Sequence, residues 1–128
     1  MQKLISSFYL DQAKMRILRF NDIQVESRSG GIFTGEVKIQ RIVNKEIGSN
    51  DLNIAYVFFP KGVRNTWHAH DYDQCLWILE GKGIVASKEA EFEAEPGTAF
   101  FIPAGEKHWH GASNESHFSH ISIIGGLN

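Results

Sequence analysis

Hydrophobic and polar residues alternate along this chain in short runs, and turn signals separate the runs. Residues 15–20 and 32–42 read as strands, the second placing Phe33, Gly35, Val37 and Ile39 on one face against polar neighbours. Residues 54–59 form a brief apolar run closed by the turn Pro60-Lys61-Gly62. Further strands are expected over 65–70, 74–79, 83–87, 91–92, 98–102, 107–109 and 118–124. Gly81-Lys82-Gly83, between two apolar runs, predicts a tight hairpin, and Glu95-Pro96-Gly97 and Pro103-Ala104-Gly105 predict turns. Many short strands at about 8–12-residue spacing, without an internal repeat, predict an all-β sandwich or barrel. Only residues 3–14, where Leu4 and Phe8 share a face, offer a helix. Residues 1–14 read as an extension outside the barrel, and residues 15–128 as the single domain.

Length and charge narrow the range of functions. A chain of 128 residues fits one domain, and at that size roughly two-thirds of the unfolded surface can be buried without staples. Thirteen basic and fifteen acidic residues leave a net charge of -2, and no basic run exceeds two residues. Nucleic acid and acidic membrane surfaces therefore have no electrostatic handle, and a small molecule is the expected partner. Cys75 is the only cysteine, so no intrachain disulfide can form, which fits a reducing compartment. The N-terminal stretch lacks the long apolar run of a secretory signal, and nothing approaches the roughly 20 apolar residues that span a bilayer. A cytoplasmic protein is expected.

His68-Ala69-His70 is the centre of the candidate chemistry. On a strand, residues i and i+2 point the same way, so both imidazoles would converge as two ligands of one metal ion. Gln74 follows after three residues and offers a neutral amide oxygen on the same face. His108, after the 103–105 turn, could close the site from across a barrel. A His-x-His pair alone more often marks half-buried structural histidines than a metal site, and it is the spacing around it that raises the expectation. Imidazole suits zinc, iron and nickel, and an oxygen ligand extends the range to manganese, so the identity of the divalent ion stays open.

That spacing resembles the cupin family. Gly62, five residues, His68-Ala69-His70, three residues, Gln74, six residues and Gly81 follow the family's first motif. Gly97, five residues, Pro103-Ala104-Gly105, two residues, His108, three residues and Ala112 follow its second, with 15 residues between the motifs. The resemblance implies a double-stranded β-helix, a jelly-roll-like barrel, with one metal bound by His68, His70, Gln74 and His108. Gln74 stands where the family usually has Glu, and Ala112 where it usually has Asn. Four neutral ligands leave the ion's full double charge in place, which favours Lewis-acid chemistry over higher oxidation states.

A narrower resemblance covers about residues 30–124. The stretches 33–39, 67–70, 105–112 and 119–123 are similar to small cupins related to the carboxymuconolactone-decarboxylase-associated group, which includes manganese-dependent hydroxynitrile lyases. In those lyases the counterpart of His120 is the acid/base residue beside the metal, and a Gln stands where this chain has Ile124. A more distant resemblance is to cupins with a His-His-Gln-His site that promote ring opening of unsaturated uronic acids.

His110, two residues beyond His108, is expected on the same interior face, as a base or as a structural histidine. His120 is expected in the pocket, and Ala55, Val57 and Phe59 along its wall. Trp67, Trp77, Trp109, Phe100 and Phe101 are expected in the core or at a dimer contact, and small cupins make a homodimer the default. The leading expectation is a metal-dependent lyase or isomerase acting on a small oxygenated molecule, with His120 or His110 moving a proton. The alternatives are a non-catalytic module binding a metal or metabolite, and an iron-dependent oxygenase.

Overall fold

The computed structural model describes residues 15–125. Among them the chain builds two antiparallel sheets around one core. The strands are β1 (Glu26–Gly30), β2 (Phe33–Val43), β3 (Asn53–Phe59), β4 (Gln74–Gly81), β5 (Gly83–Ser87), β6 (Glu91–Ala94), β7 (Ala99–Ile102), β8 (His108–Ala112) and β9 (Phe118–Ile124). One sheet has the order β1-β2-β3-β9-β4-β7, and the other β6-β5-β8. The all-β expectation holds: the strand arrangement is that of a double-stranded β-helix.

Alternation along β4 and β9 sets the inside of the barrel. Gln74, Leu76 and Ile78 are buried while Trp77 and Leu79 face out, and Phe118, His120 and Ser122 share the inward side of β9. Val37, Ile39, Phe59, Leu76, Ile78, Val85, Ile102 and Phe118 form the apolar core. Each of these side chains removes enough apolar surface from water to contribute roughly 1.5–3 kcal/mol. His68, His70 and His108 lie near the start of β4, whereas His110 and His120 lie midway along β8 and β9, beside the core.

Three sequence readings need correction. Residues 15–20 form no strand: Met15 and Ile17 are exposed, and Phe20–Asp22 make a short 3-10 turn. The buried Gln40 side chain occupies the carbonyls of Phe20 and Ile23, at 3.0 and 3.2 Å, so this segment is held by one amide and not by a ladder. The first strand is instead Glu26–Gly30, whose sequence ESRSG has no apolar alternation to betray it; it pairs with β2 along the exposed edge.

Residues 65–70 are not a regular strand either. They form single bridges, Phe33 to Asn65 and His68 to His108, with Arg64 bridging Gly111 just before. These bridges join the start of β2 to β8, so the segment spans the two sheets and cannot follow either ladder.

Gly81-Lys82-Gly83 is not a hairpin, because β4 and β5 belong to different sheets. It is where the chain passes from one sheet to the other. Gly81 sits at φ +81°, and a Cβ there would collide with the His117 carbonyl; one on Gly83 would collide with the Phe118 ring. The candidate helix over 3–14, and the extension to which it would belong, lie outside the described residues.

Of the large aromatic residues, Trp109 is buried with the Arg64 guanidinium 3.6 Å above its ring, and Phe100 packs against the core. Trp67, Trp77 and Phe101 are instead exposed on the outside. No helix among the described residues is long and apolar enough to cross a membrane.

Candidate metal centre

His68, His70 and His108 each offer a ring nitrogen, and these three nitrogens lie within 4.8 Å of one another. His68 comes from the bridging segment, where its backbone exchanges two hydrogen bonds with His108, N–H to carbonyl in both directions, at 3.0 and 2.9 Å. The missing strand alternation is thus replaced by a fixed register against β8. His70 lies beyond that bridge and is held in two other ways. Its ring stacks on Tyr72 with centroids 4.2 Å apart, and its carbonyl accepts the Gly105 N–H at 2.7 Å. Asp73 accepts the Ala104 N–H at 3.0 Å, so the turn before β8 is tied to the loop after His70.

Backbone carbonyls determine the tautomers. Nδ1 of His68, His70 and His108 lies 2.6, 2.9 and 2.8 Å from the carbonyls of Thr66, Tyr72 and Glu106. A carbonyl only accepts, so each Nδ1 carries a proton, and in the neutral ring Nε2 is left with a bare lone pair. His108 Nε2 is buried without a hydrogen-bond partner. Gln74 Oε1 lies 3.1 Å from His70 Nε2, and Gln74 Nε2 donates to Ser122 Oγ at 2.8 Å. In neutral His70 the proton is given to Tyr72, leaving two acceptors face to face, which a shared cation reconciles. The donor set therefore fits a divalent ion.

Further inside, His110 and His120 meet edge to face with ring centroids 5.0 Å apart, and Phe59 packs on both. His110 is 5 % exposed and His120 1 %, and neither nitrogen of His120 has a partner. Burial disfavours the imidazolium in all three inner histidines. It takes His120 down to about 3. It takes His108 to about 4, with further lowering by the charges of His68 and His70 against the opposing Glu106 carbonyl. His110 lies well below its ordinary value, from burial first and then from the neighbouring histidines.

Of the six residues picked from the sequence, His68, His70 and His108 form one cluster with Gln74 against His70, and His110 and His120 lie behind it, midway along β8 and β9. Ala55 and Phe59 are buried on the inner wall of β3, with Val57 half-buried between them. Sequence reasoning missed Asn65 and Ser122. Asn65 is 2 % exposed; its Oδ1 accepts the His110 N–H at 2.8 Å, so its Nδ2, 3.3 Å from His110 Nε2, faces the ring as donor. A lone Asn or Ser in an apolar pattern carries no signal for such a role. A cleft of about 490 Å³ lined by Ala69, His70, Asp71, Ala104 and Gly105 opens beside His70. A larger one of about 720 Å³, between the 81–83 crossing and Asn114, lies at the other end of β4 and contains no histidine.

Fold and spacing define a barrel with a histidine cluster at one end, and the cupin domain model matches residues 55–124. The chain belongs to the cupin domain family. It is 34% identical over 93 residues, 71% of this chain and 70% of the other, to an (R)-mandelonitrile lyase from Granulicella tundricola. It is 31% identical to a cupin-like protein from Thermotoga maritima, with a TM-score of 0.72, covering 77% of this chain and 74% of that one. A predicted oxalate decarboxylase from the same organism matches at TM-score 0.78 and 23% identity, covering 87% and 99%, and supports the fold alone.

Proposed function

We propose that this protein is a metal-dependent lyase or isomerase acting on a small, oxygenated organic molecule. The observation that carries the reading is the cluster of His68, His70 and His108 ring nitrogens within 4.8 Å of one another, with the Gln74 amide oxygen 3.1 Å from His70 Nε2. His68, His70, Gln74 and His108 would hold the ion. Bound there, it supplies Lewis acidity toward a substrate hydroxyl or carbonyl oxygen, undiminished by any carboxylate ligand.

The chain's own residues do the rest. His120, neutral through burial and by itself a weak base, would take the proton of a substrate hydroxyl whose acidity the bound ion raises, and His110 lies at its edge. Asn65 fixes the His110 ring. Phe59 and Phe118 exclude water around His120. Similarity to a mandelonitrile lyase supports a 2-hydroxynitrile-like substrate, in which loss of the hydroxyl proton forms a carbonyl while the neighbouring carbon leaves with the electron pair of its bond, as cyanide. The exposed outer stripe of Trp77, Leu79 and Phe101 supports the expected homodimer, for which a monomeric mass in solution would be the contrary result.

The test is purified protein, first analysed for metal and then supplied with manganese, iron, zinc or nickel and a panel of 2-hydroxynitriles and other hydroxy compounds. Turnover that needs metal but not dioxygen supports the proposal. Turnover only with iron and dioxygen supports an oxygenase, and metal binding without turnover across the panel supports the non-catalytic module.

A further inference from the structure

Gln74 is an unusual ligand because only one end of its amide can bind a cation. The oxygen has lone pairs; the nitrogen has two protons and nothing to donate to a metal. The two ends have the same shape, so packing alone does not choose between them. With the nitrogen turned toward His70, it would donate to the bare His70 Nε2 while the Ser122 hydroxyl donated to the oxygen, an arrangement that a cation bound at His70 Nε2 forbids. With the oxygen turned there, the buried NH2 needs an acceptor elsewhere, and leaving it without one costs roughly 1–3 kcal/mol. Gln74 is 8 % exposed, so water does not freely supply that acceptor.

Ser122 does. It lies on β9, two residues beyond His120 on the same inward face, where the β4–β9 register pairs Gln74 with Ile124 and Leu76 with Ser122. Its Oγ accepts from Gln74 Nε2 at 2.8 Å, and Gln74 Oε1 then lies 3.1 Å from His70 Nε2. Resting on the metal reading above, we propose that Ser122 is a positioning residue that holds Gln74 as a metal ligand by accepting an amide proton while the amide oxygen faces the ion. This bond also draws electron density toward the amide oxygen, strengthening it as a ligand.

The same hydroxyl would act oppositely on a carboxylate. A glutamate has two equivalent oxygens and no NH2 to satisfy, and a serine donating to one of them makes the carboxylate a weaker donor. The sign of Ser122's effect therefore depends on what stands at position 74.

The experiment is a cycle of native protein, Ser122→Ala, Gln74→Glu and the double variant. Dissociation constants for Mn²⁺ and Zn²⁺ are read by competition with a chelator, and melting temperatures of the metal-free forms are taken alongside. Ser122→Thr and Ser122→Val form a second pair of equal shape with and without the hydroxyl, which serves if the alanine variant fails to fold. Removing the hydroxyl should weaken metal binding roughly ten- to a hundredfold with Gln74, the usual range for such outer contacts. Threonine should stay near native, and with Glu at 74 the loss should disappear or reverse. Equal affinity for native and Ser122→Ala overturns the proposal, as does an equal loss in both backgrounds, which would mark a packing role. Native protein that binds neither ion overturns the metal centre itself, and this inference with it.

Discussion

His68 and His108 are held backbone to backbone by two reciprocal hydrogen bonds at 3.0 and 2.9 Å, and their rings approach to 4.3 Å between centroids. This bridge, more than strand alternation, aligns two of the proposed ligands. Because it runs through main-chain atoms, it survives loss of either side chain. His68→Ala and His108→Ala should therefore fold with the native strand content yet hold less than roughly a tenth of an equivalent of metal, against one per chain for the native protein. Elemental analysis with circular dichroism checks this. Native protein below that same level after reconstitution would refute the metal centre.

Gln74→Glu should retain metal and bind it more tightly, while any lyase or isomerase rate falls. The added negative charge neutralises part of the ion's field and weakens its pull on a substrate oxygen. Rates at saturating metal and substrate test this. Turnover equal to or faster than native would remove the argument for Lewis-acid chemistry drawn from the four neutral ligands.

Gly81→Ala tests the crossing between sheets. The position combines φ +81° with a His117 carbonyl where the Cβ would stand. Backbone strain of this kind costs on the order of 1–3 kcal/mol, and displacing the carbonyl adds to it. Thermal unfolding should show a drop of at least about 5 °C. Lys82→Ala, one residue on and exposed, should be within roughly 0.5 kcal/mol of native. Similar stability in both variants would mean that the crossing tolerates a side chain.

The barrel was legible because its strands keep a two-residue period, with Leu76/Ile78 and Phe118/His120 showing the inside of β4 and β9. The histidines were legible because His68-Ala69-His70 and His108 stand at fixed distances from turn glycines. What stayed hidden depends on pairings between distant segments. ESRSG became a strand only because β2 lay beside it, and the turn at 20–23 is tied to Gln40 through the carbonyls of Phe20 and Ile23. Ser122 and Asn65 gained roles from contacts with residues 48 and 45 positions away. No local pattern encodes those contacts.

His120 offers the sharpest test of the enzyme reading, because its chemistry and its burial make separable predictions. Its ring lies between Phe59, Phe118 and His110, and the facing β4 residue, Ile78, brings no charge; His110 is the only titratable group among these neighbours. Burial lowers its pKa to about 3, whereas an unfolded histidine titrates near ~6.5. The unfolded chain then binds the proton first. Stability from neutral His120 is complete above about pH 6.5 and is lost as pH falls toward 3, at up to roughly 1.4 kcal/mol per pH unit. In chelator-treated protein, His120→Leu should therefore lose stability less steeply than native across that window. The rate should behave differently. As a neutral base His120 is ready at pH 7, so turnover should be flat through neutrality and fall only on the acid side, well below 6.5. His120→Ala should lower turnover on the order of 10²- to 10⁴-fold, the usual range for proton transfer, with metal content unchanged. Metal content, melting temperature and rate measured on one preparation separate the roles. A variant that keeps its rate while only the acid sensitivity of folding changes would move the proton-transfer role to His110 or leave a binding module.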